Sequence, residues 1–275
     1  MFPDNGFLVV YIYGVVFILG IVFGSFINCL SWRMANHESV RSGRSHCTSC
    51  GHILAAKDLV PIFSYLFLKG RCRYCGIKIH PRYMLTELVL GLAFVAVVAV
   101  FGISWQALSY LVLSCLLLGL SLVDLAIYEI PDSFIIWGIV NWLVFLPLQA
   151  GVIGPSELAS PKALVPLEYL MCRATDGLLG GFIIAGSLLV LSIIFDKLSG
   201  KESLGGGDIK LFFMTGLYMG LFESLFCLIL SCVMGILFSV LVKKNRIPFG
   251  PCISVAVFIT LLIGTSVTTW YLSLF

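Results

Sequence analysis

Apolar and polar residues fall along this chain in long blocks, without the short rhythm of an amphipathic helix or strand. Charge-free runs cover residues 5–32, 88–123, 133–156, 177–195, 224–242 and 247–275. Each reaches the roughly 18 apolar residues of a spanning helix. The run 88–123 is too long for one helix. The stretch "FGISWQ" at 101–106 offers a glycine-containing turn, so a hairpin of two helices is predicted there. The shorter "IKLFFMTGLYMGL" at 209–221 adds one more span. The pattern predicts an all-α polytopic membrane protein of about eight transmembrane helices.

Composition agrees, with 60% hydrophobic and 11% charged residues and a mean hydropathy of +1.06, against about 25% charged in soluble domains. The first span has no basic residue before it and carries Asp4 at its start, so a removable signal peptide is not expected. Every lysine and arginine except Lys162 and Arg173 falls in residues 32–83, 196–210 or 243–246. Eight spans put these three segments on one side, and the positive-inside rule makes that side cytoplasmic, with both termini opposite. The net charge of +3 therefore reflects topology. It points to the lipid bilayer, whose anionic headgroups the basic loops can meet, and to no nucleic-acid partner.

Residues 34–83 break the apolar pattern. They hold all four histidines and two cysteine pairs, "CTSCG" at 47–51 and "CRYCG" at 72–76. Two such turns form a zinc knuckle when each presents two thiolates to one metal and its glycine relieves the backbone. Cys47, Cys50, Cys72 and Cys75 are the candidate ligands, with His46 and His52 as substitutes. A redox dithiol or plain buried cysteines are the competing readings. A cytoplasmic setting disfavours stable disulfides, and a segment this small gains from a metal that contributes folding free energy. The other six cysteines are scattered and read as small packing residues.

Seven acids lie in or at the edge of apolar runs: Glu87, Asp124, Glu129, Asp132, Asp176, Asp208 and Glu223. An ionisable group there is costly and is a functional candidate by default. Asp124 closes the third span in "LSLVDLAIYEIPD" and Asp208 opens the sixth in "GGGDIK", so both fall at the cytoplasmic face. Two carboxylates at one depth can share a proton, one acting as general base toward water and the other as acid toward a peptide. Gly205, Gly206 and Gly207 would let the backbone leave helical geometry and approach an extended substrate closely. The plainer alternative is a flexible loop ending at a helix start, with Asp208 stabilising that N-terminus.

In these residues the chain resembles the type IV prepilin peptidases, bifunctional leader peptidases and N-methyltransferases of the GxGD aspartic class. The resemblance covers nearly the whole chain: "FGSFINCLSWR" at 23–33, the paired knuckles, "DLVPIFSYLFLKGRCRYC" at 58–75, "RYMLTELVLG" at 82–91, "VDLAIYEIPD" at 123–132, "GGGDIKLF" at 205–212 and "IPFGP" at 247–251. It implies catalytic roles for Asp124 and Asp208, metal binding by Cys47, Cys50, Cys72 and Cys75, and a link to methyl transfer for Gly70. Thr48 stands where members often have proline, and "CLSWRMA" departs from the usual end of the first motif. These departures bear on loop shape and methylation more than on proteolysis.

The resemblance implies cleavage of prepilins or type II secretion pseudopilins at the cytoplasmic face of the bacterial inner membrane. It further implies methylation of the new N-terminus with S-adenosylmethionine. No glycine-rich nucleotide fingerprint marks a methyl-donor pocket. The expected division is a first helix (1–33), a methylation-associated zinc domain (34–83) and a membrane-embedded peptidase part (84–275). A presenilin-like protease would carry a Pro-Ala-Leu tripeptide, which is missing here. An ion-coupled transporter would be expected to show broken inverted repeats, and none is visible. The oligomeric state is not legible.

Overall fold

A computed structural model describes residues 6–40, 43–150, 166–200, 204–242 and 247–274. Several residues used in the charge and signal-peptide arguments lie outside the described residues: Asp4, Arg41, the segment around residue 160 with Lys162, Lys201, and the basic segment 243–246. The helices are α1 (Gly6–Ala35), α2 (Phe63–Phe67), α3 (Arg82–Phe101), α4 (Trp105–Ile127), α5 (Asp132–Ala150), α6 (Pro166–Ser199), α7 (Gly206–Met219), α8 (Leu221–Val242) and α9 (Gly250–Leu272). Among the described residues there is no strand, only two isolated bridges.

Seven of these helices, all but α2 and α7, are long and apolar enough to cross a membrane. The segment expected as a further span forms α7, whose 14 residues reach about 21 Å at 1.5 Å per residue. That is short of a hydrocarbon core of about 30 Å. The expected hairpin forms at its expected place. Gly102 ends α3 at φ +64, and Ser104 caps α4 by accepting a hydrogen bond from the Ala107 N–H at 3.0 Å.

The chain divides into two compact units, residues 1–102 and 103–275. In the first, α1 packs along α3 through glycines. A Cβ on Gly20 would stand 2.7 Å from the Cα of Gly91, and one on Gly24 would stand 2.8 Å from that of Glu87. Apolar helices gain little from the hydrophobic effect in lipid, so close approach over small residues and buried polar contacts hold them together. Asn28 adds such a contact, donating to Thr86 Oγ1 at 2.6 Å and to the Tyr83 carbonyl at 3.2 Å.

In the second unit the helices alternate in direction. The end of α4 meets the start of α9 at one end of the bundle, where the Gly250 N–H reaches Asp124. At the other end Asp176 of α6 accepts a hydrogen bond from Leu221 N–H at 3.4 Å, and Glu223 of α8 accepts one from Thr265 of α9 at 2.7 Å. A glycine seam joins α6 to α7. A Cβ on Gly180 would fall 2.5 Å from the Gly220 backbone, and one on Gly216 would fall 2.6 Å from that of Gly181. Tyr218 is held between neighbours, donating to the Gly138 carbonyl and accepting from Asn141 at 2.8 Å.

Candidate active site

Asp124 sits in the last turn of α4, which Tyr128 closes in the left-handed conformation at φ 58. A carboxylate there faces the negative end of its own helix dipole, an unfavourable position. The start of α9 offsets it. Asp124 Oδ2 accepts the Gly250 N–H at 2.8 Å, and Asp124 is only 4% exposed. Below it Ser121 donates to Ser254 at 2.9 Å, and Ser254 donates to the Gly250 carbonyl at 2.8 Å, tying α4 to α9.

Asp208 lies in the first turn of α7, at the same end of the bundle, close enough for the charge of Asp124 to act on it. Gly205 is extended, at φ −65 and ψ 138, whereas Gly206 and Gly207 already belong to the helix. The absence of side chains still matters. A Cβ on Gly205 would stand 3.1 Å from Asp208 Oδ2, and one on Gly207 would stand 3.0 Å from Cβ of Ile130. Asp208 therefore stands in the first turn of a helix, half-buried, at the end of the bundle where the buried Asp124 lies.

Sequence reasoning gave Gly250 no role of its own. A Cβ there would lie 2.6 Å from Asp124 Oδ2, so no other residue leaves room for both the N–H contact and the carboxylate. The available signal was "FGP", a glycine followed by proline at a helix start. Gly250→Ala is expected to lower turnover of the site about tenfold to a hundredfold by displacing Asp124 by a few tenths of an ångström or more. A full rate in a cleavage assay would show that the close approach is dispensable.

The remaining acids separate from this pair. Asp132 forms an exposed ion pair with Lys210 of α7, Nζ to Oδ1 at 2.7 Å, and Glu129 is exposed. Asp176 and Glu223 are at the other end, held as described above. Glu87 belongs to the first unit, where it accepts the Ile62 N–H at 2.8 Å.

The two cysteine turns fold alike. Cys47 N–H donates to His52 and Gly51 N–H to Cys47; Cys72 N–H donates to Ile77 and Gly76 N–H to Cys72; all four are 2.9 Å. Gly51 and Gly76 take φ +70 and +71, the left-handed turn that glycine accepts without strain. The four Sγ atoms lie within 4.8 Å of one another, and those of Cys47 and Cys75 are 3.9 Å apart. A disulfide needs about 2.05 Å, while tetrahedral zinc with bonds of about 2.3 Å puts sulfurs about 3.8 Å apart.

The thiols also differ electrostatically. Burial acts to raise the pKa of Cys47, yet the N–H groups of Cys50 and Ser49 and the thiols of Cys50 and Cys72 together outweigh it and bring it down to about 7. At Cys75 the Ile77 N–H acts to lower it, but burial and the neighbouring thiols push it up to about 11. Four thiolates crowd one another unless a cation sits among them, so the donor set suits a metal. Gly70, at φ +66, lies under Tyr65, whose Oη would stand 2.8 Å from an added Cβ.

The fold and site thus define a polytopic α-helical membrane protein with a paired-carboxylate centre in one unit and a four-thiol cluster in the other. Residues 18–101 match the bacterial peptidase A24 N-terminal domain, and residues 111–240 match the type IV leader peptidase family. A prepilin leader peptidase/N-methyltransferase of Aeromonas salmonicida (strain A449) is 31% identical over 95% of this chain and 94% of its own length. A protein of the same description from Bacillus subtilis (strain 168) is 31% identical over 94% and 98%. A type 4 prepilin-like proteins leader peptide-processing enzyme of Escherichia coli O78:H11 is 35% identical over 86% and 88%. The chain belongs to the type IV leader peptidase family. No solved structure matches it.

Proposed function

We propose that this protein cleaves the leader peptide of prepilins or type II secretion pseudopilins and then N-methylates the new N-terminus. Membership of the family and the names of the relatives support both activities. What supports the peptidase half is that Asp124, in the last turn of α4, and Asp208, in the first turn of α7, lie at the same end of the bundle. One carboxylate removes a proton from the attacking water, and the other, holding the shared proton, donates to the departing amine nitrogen. Asp124 receives the Gly250 N–H and the positive end of α9, and Asp208 stands at the positive end of α7. Gly205, Gly206 and Gly207 leave the approach to Asp208 free of side chains. Co-expression with a candidate prepilin tests this reading: leader loss is expected as a gel shift, and intact prepilin would overturn it.

Cys47, Cys50, Cys72 and Cys75 are the residues that would hold zinc, as a structural ion that pins the two turns together. Within the division proposed from the sequence (1–33, 34–83 and 84–275), the middle segment serves methylation. Gly70 enters through Tyr65, whose position depends on the missing side chain. S-adenosylmethionine supplies a methyl carbon on a sulfonium. When bound, it would offer that methyl group to the free amine of the processed N-terminus, leaving as the neutral thioether.

The site faces the cytoplasm in this reading, in a bacterial inner membrane. Reporter fusions after residues 78, 201 and 245 are expected to read cytoplasmic, and a fusion near 160 external. A cytoplasmic signal at 160 would break the alternation that brings α4, α7 and α9 together at one end.

A further inference from the structure

The first unit carries an open-mouthed cavity of about 430 Å³, within the range of about 300–1,000 Å³ typical of small-molecule sites. It is bounded by the C-terminal part of α1, the first turns of α3 and the loops that carry the cysteine turns. We propose that this cavity is the methyl-donor pocket and that Glu87 is the residue in it that recognises the sulfonium charge. This rests on the methyl-transfer half of the reading above and goes beyond it by assigning the pocket.

Three features of the lining fit an adenosyl sulfonium amino acid. Aromatic faces are present in Trp32, Tyr65 and Tyr83, suited to stacking on a purine and to attracting a cation. Arg33 lines the same space and can meet the ligand's carboxylate. Glu87 is 7% exposed and also lines it, a carboxylate that a bound cation would favour in its charged form. The Glu87 carboxylate also accepts the Ile62 N–H at 2.8 Å, and Ile62 is held at φ 60. A β-branched residue rarely adopts that conformation, and strain of this kind collects at ligand clamps. One end of the Glu87 carboxylate therefore holds the backbone next to Pro61, which lines the cavity. Gly70 joins the same wall through Tyr65, which donates to the Ile79 carbonyl at 3.2 Å.

S-adenosylmethionine and its neutral thioether product, S-adenosylhomocysteine, separate a charge-recognising residue from a merely structural one. Glu87→Gln keeps an oxygen for the Ile62 N–H and removes the charge. Calorimetric titration of the full-length protein in nanodiscs is expected to show S-adenosylmethionine binding weakened at least about tenfold in Glu87→Gln. Binding of S-adenosylhomocysteine should change less than about twofold, with zinc content equal to the parent. A Trp32→Leu variant should weaken both ligands, because stacking does not distinguish them.

Equal binding of S-adenosylmethionine by the parent and Glu87→Gln would overturn the role of Glu87. Equal binding of both ligands by all three proteins would overturn the pocket. If the parent neither binds the donor nor methylates a processed pilin, yet removes leaders, the methyl-transfer reading itself fails and the pocket falls with it. Methylation by the parent with unaltered binding in the variants would overturn the pocket alone.

Discussion

Asp124→Asn and Asp208→Asn are each expected to lower leader cleavage about a thousandfold or more. The reason lies in their surroundings. Asp124 is buried with one backbone donor on it, and Asp208 stands in the first turn of α7 within reach of its charge. An amide keeps the shape of either side chain but can neither take a proton from water nor pass one to a leaving amine. Insertion should be unaffected, since the helices that carry both residues pack through glycine seams and buried apolar faces. Asp132→Asn breaks only an exposed ion pair with Lys210, worth under about 1 kcal/mol, so cleavage should stay within a factor of a few. Glu129→Gln should do less still. The measurement is the rate of leader loss from a co-reconstituted prepilin, normalised to enzyme in the membrane. Near-parental cleavage by either of the first two variants would end the assignment.

Cys72→Ser should remove the metal and most of the methylation together. Three thiols and a hydroxyl cannot close a tetrahedral thiolate site of the same affinity, and a structural site that fails to close releases its two turns. Those turns supply part of the cavity lining, including Cys47, Cys72 and Ile77, so the pocket should lose its shape. Cleavage should fall less, because Asp124 and Asp208 belong to the second unit. Metal analysis reads the first effect. Mass spectrometry of processed pilin reads the second, as the loss of a methylated species about 14 Da heavier, a difference set by elementary composition. Undiminished zinc would refute the four-cysteine ligand set, and undiminished methylation without zinc would refute the coupling.

What could be read beforehand was what local sequence encodes. The hairpin at 101–106 was legible because a glycine-containing turn stands between two apolar runs. The cysteine turns were legible because each carries its own glycine. Asp124 and Asp208 were legible because alternation of spans puts both at one face. The rest depends on residues far apart in the chain. Gly250 lies 126 positions from the carboxylate it touches, and nothing near it announces that partner. The pairing of the Gly177–Gly181 stretch with Gly216 and Gly220 was hidden for the same reason, as was the use of Asp176 to hold the start of α8. The segment 209–221 was legible as a short apolar helix, whereas its start at Gly206 and its end at the Gly220 corner were not.

That short helix has a consequence for water. At about 21 Å in a hydrocarbon layer of about 30 Å, α7 falls roughly 9 Å short of a full crossing, and most of residues 211–219 are buried among the neighbouring helices. The depth it leaves is therefore bordered by protein, the setting in which irregular backbone and a wet cavity are tolerated within a membrane. Water held there would be at hand for the peptide hydrolysis that consumes it.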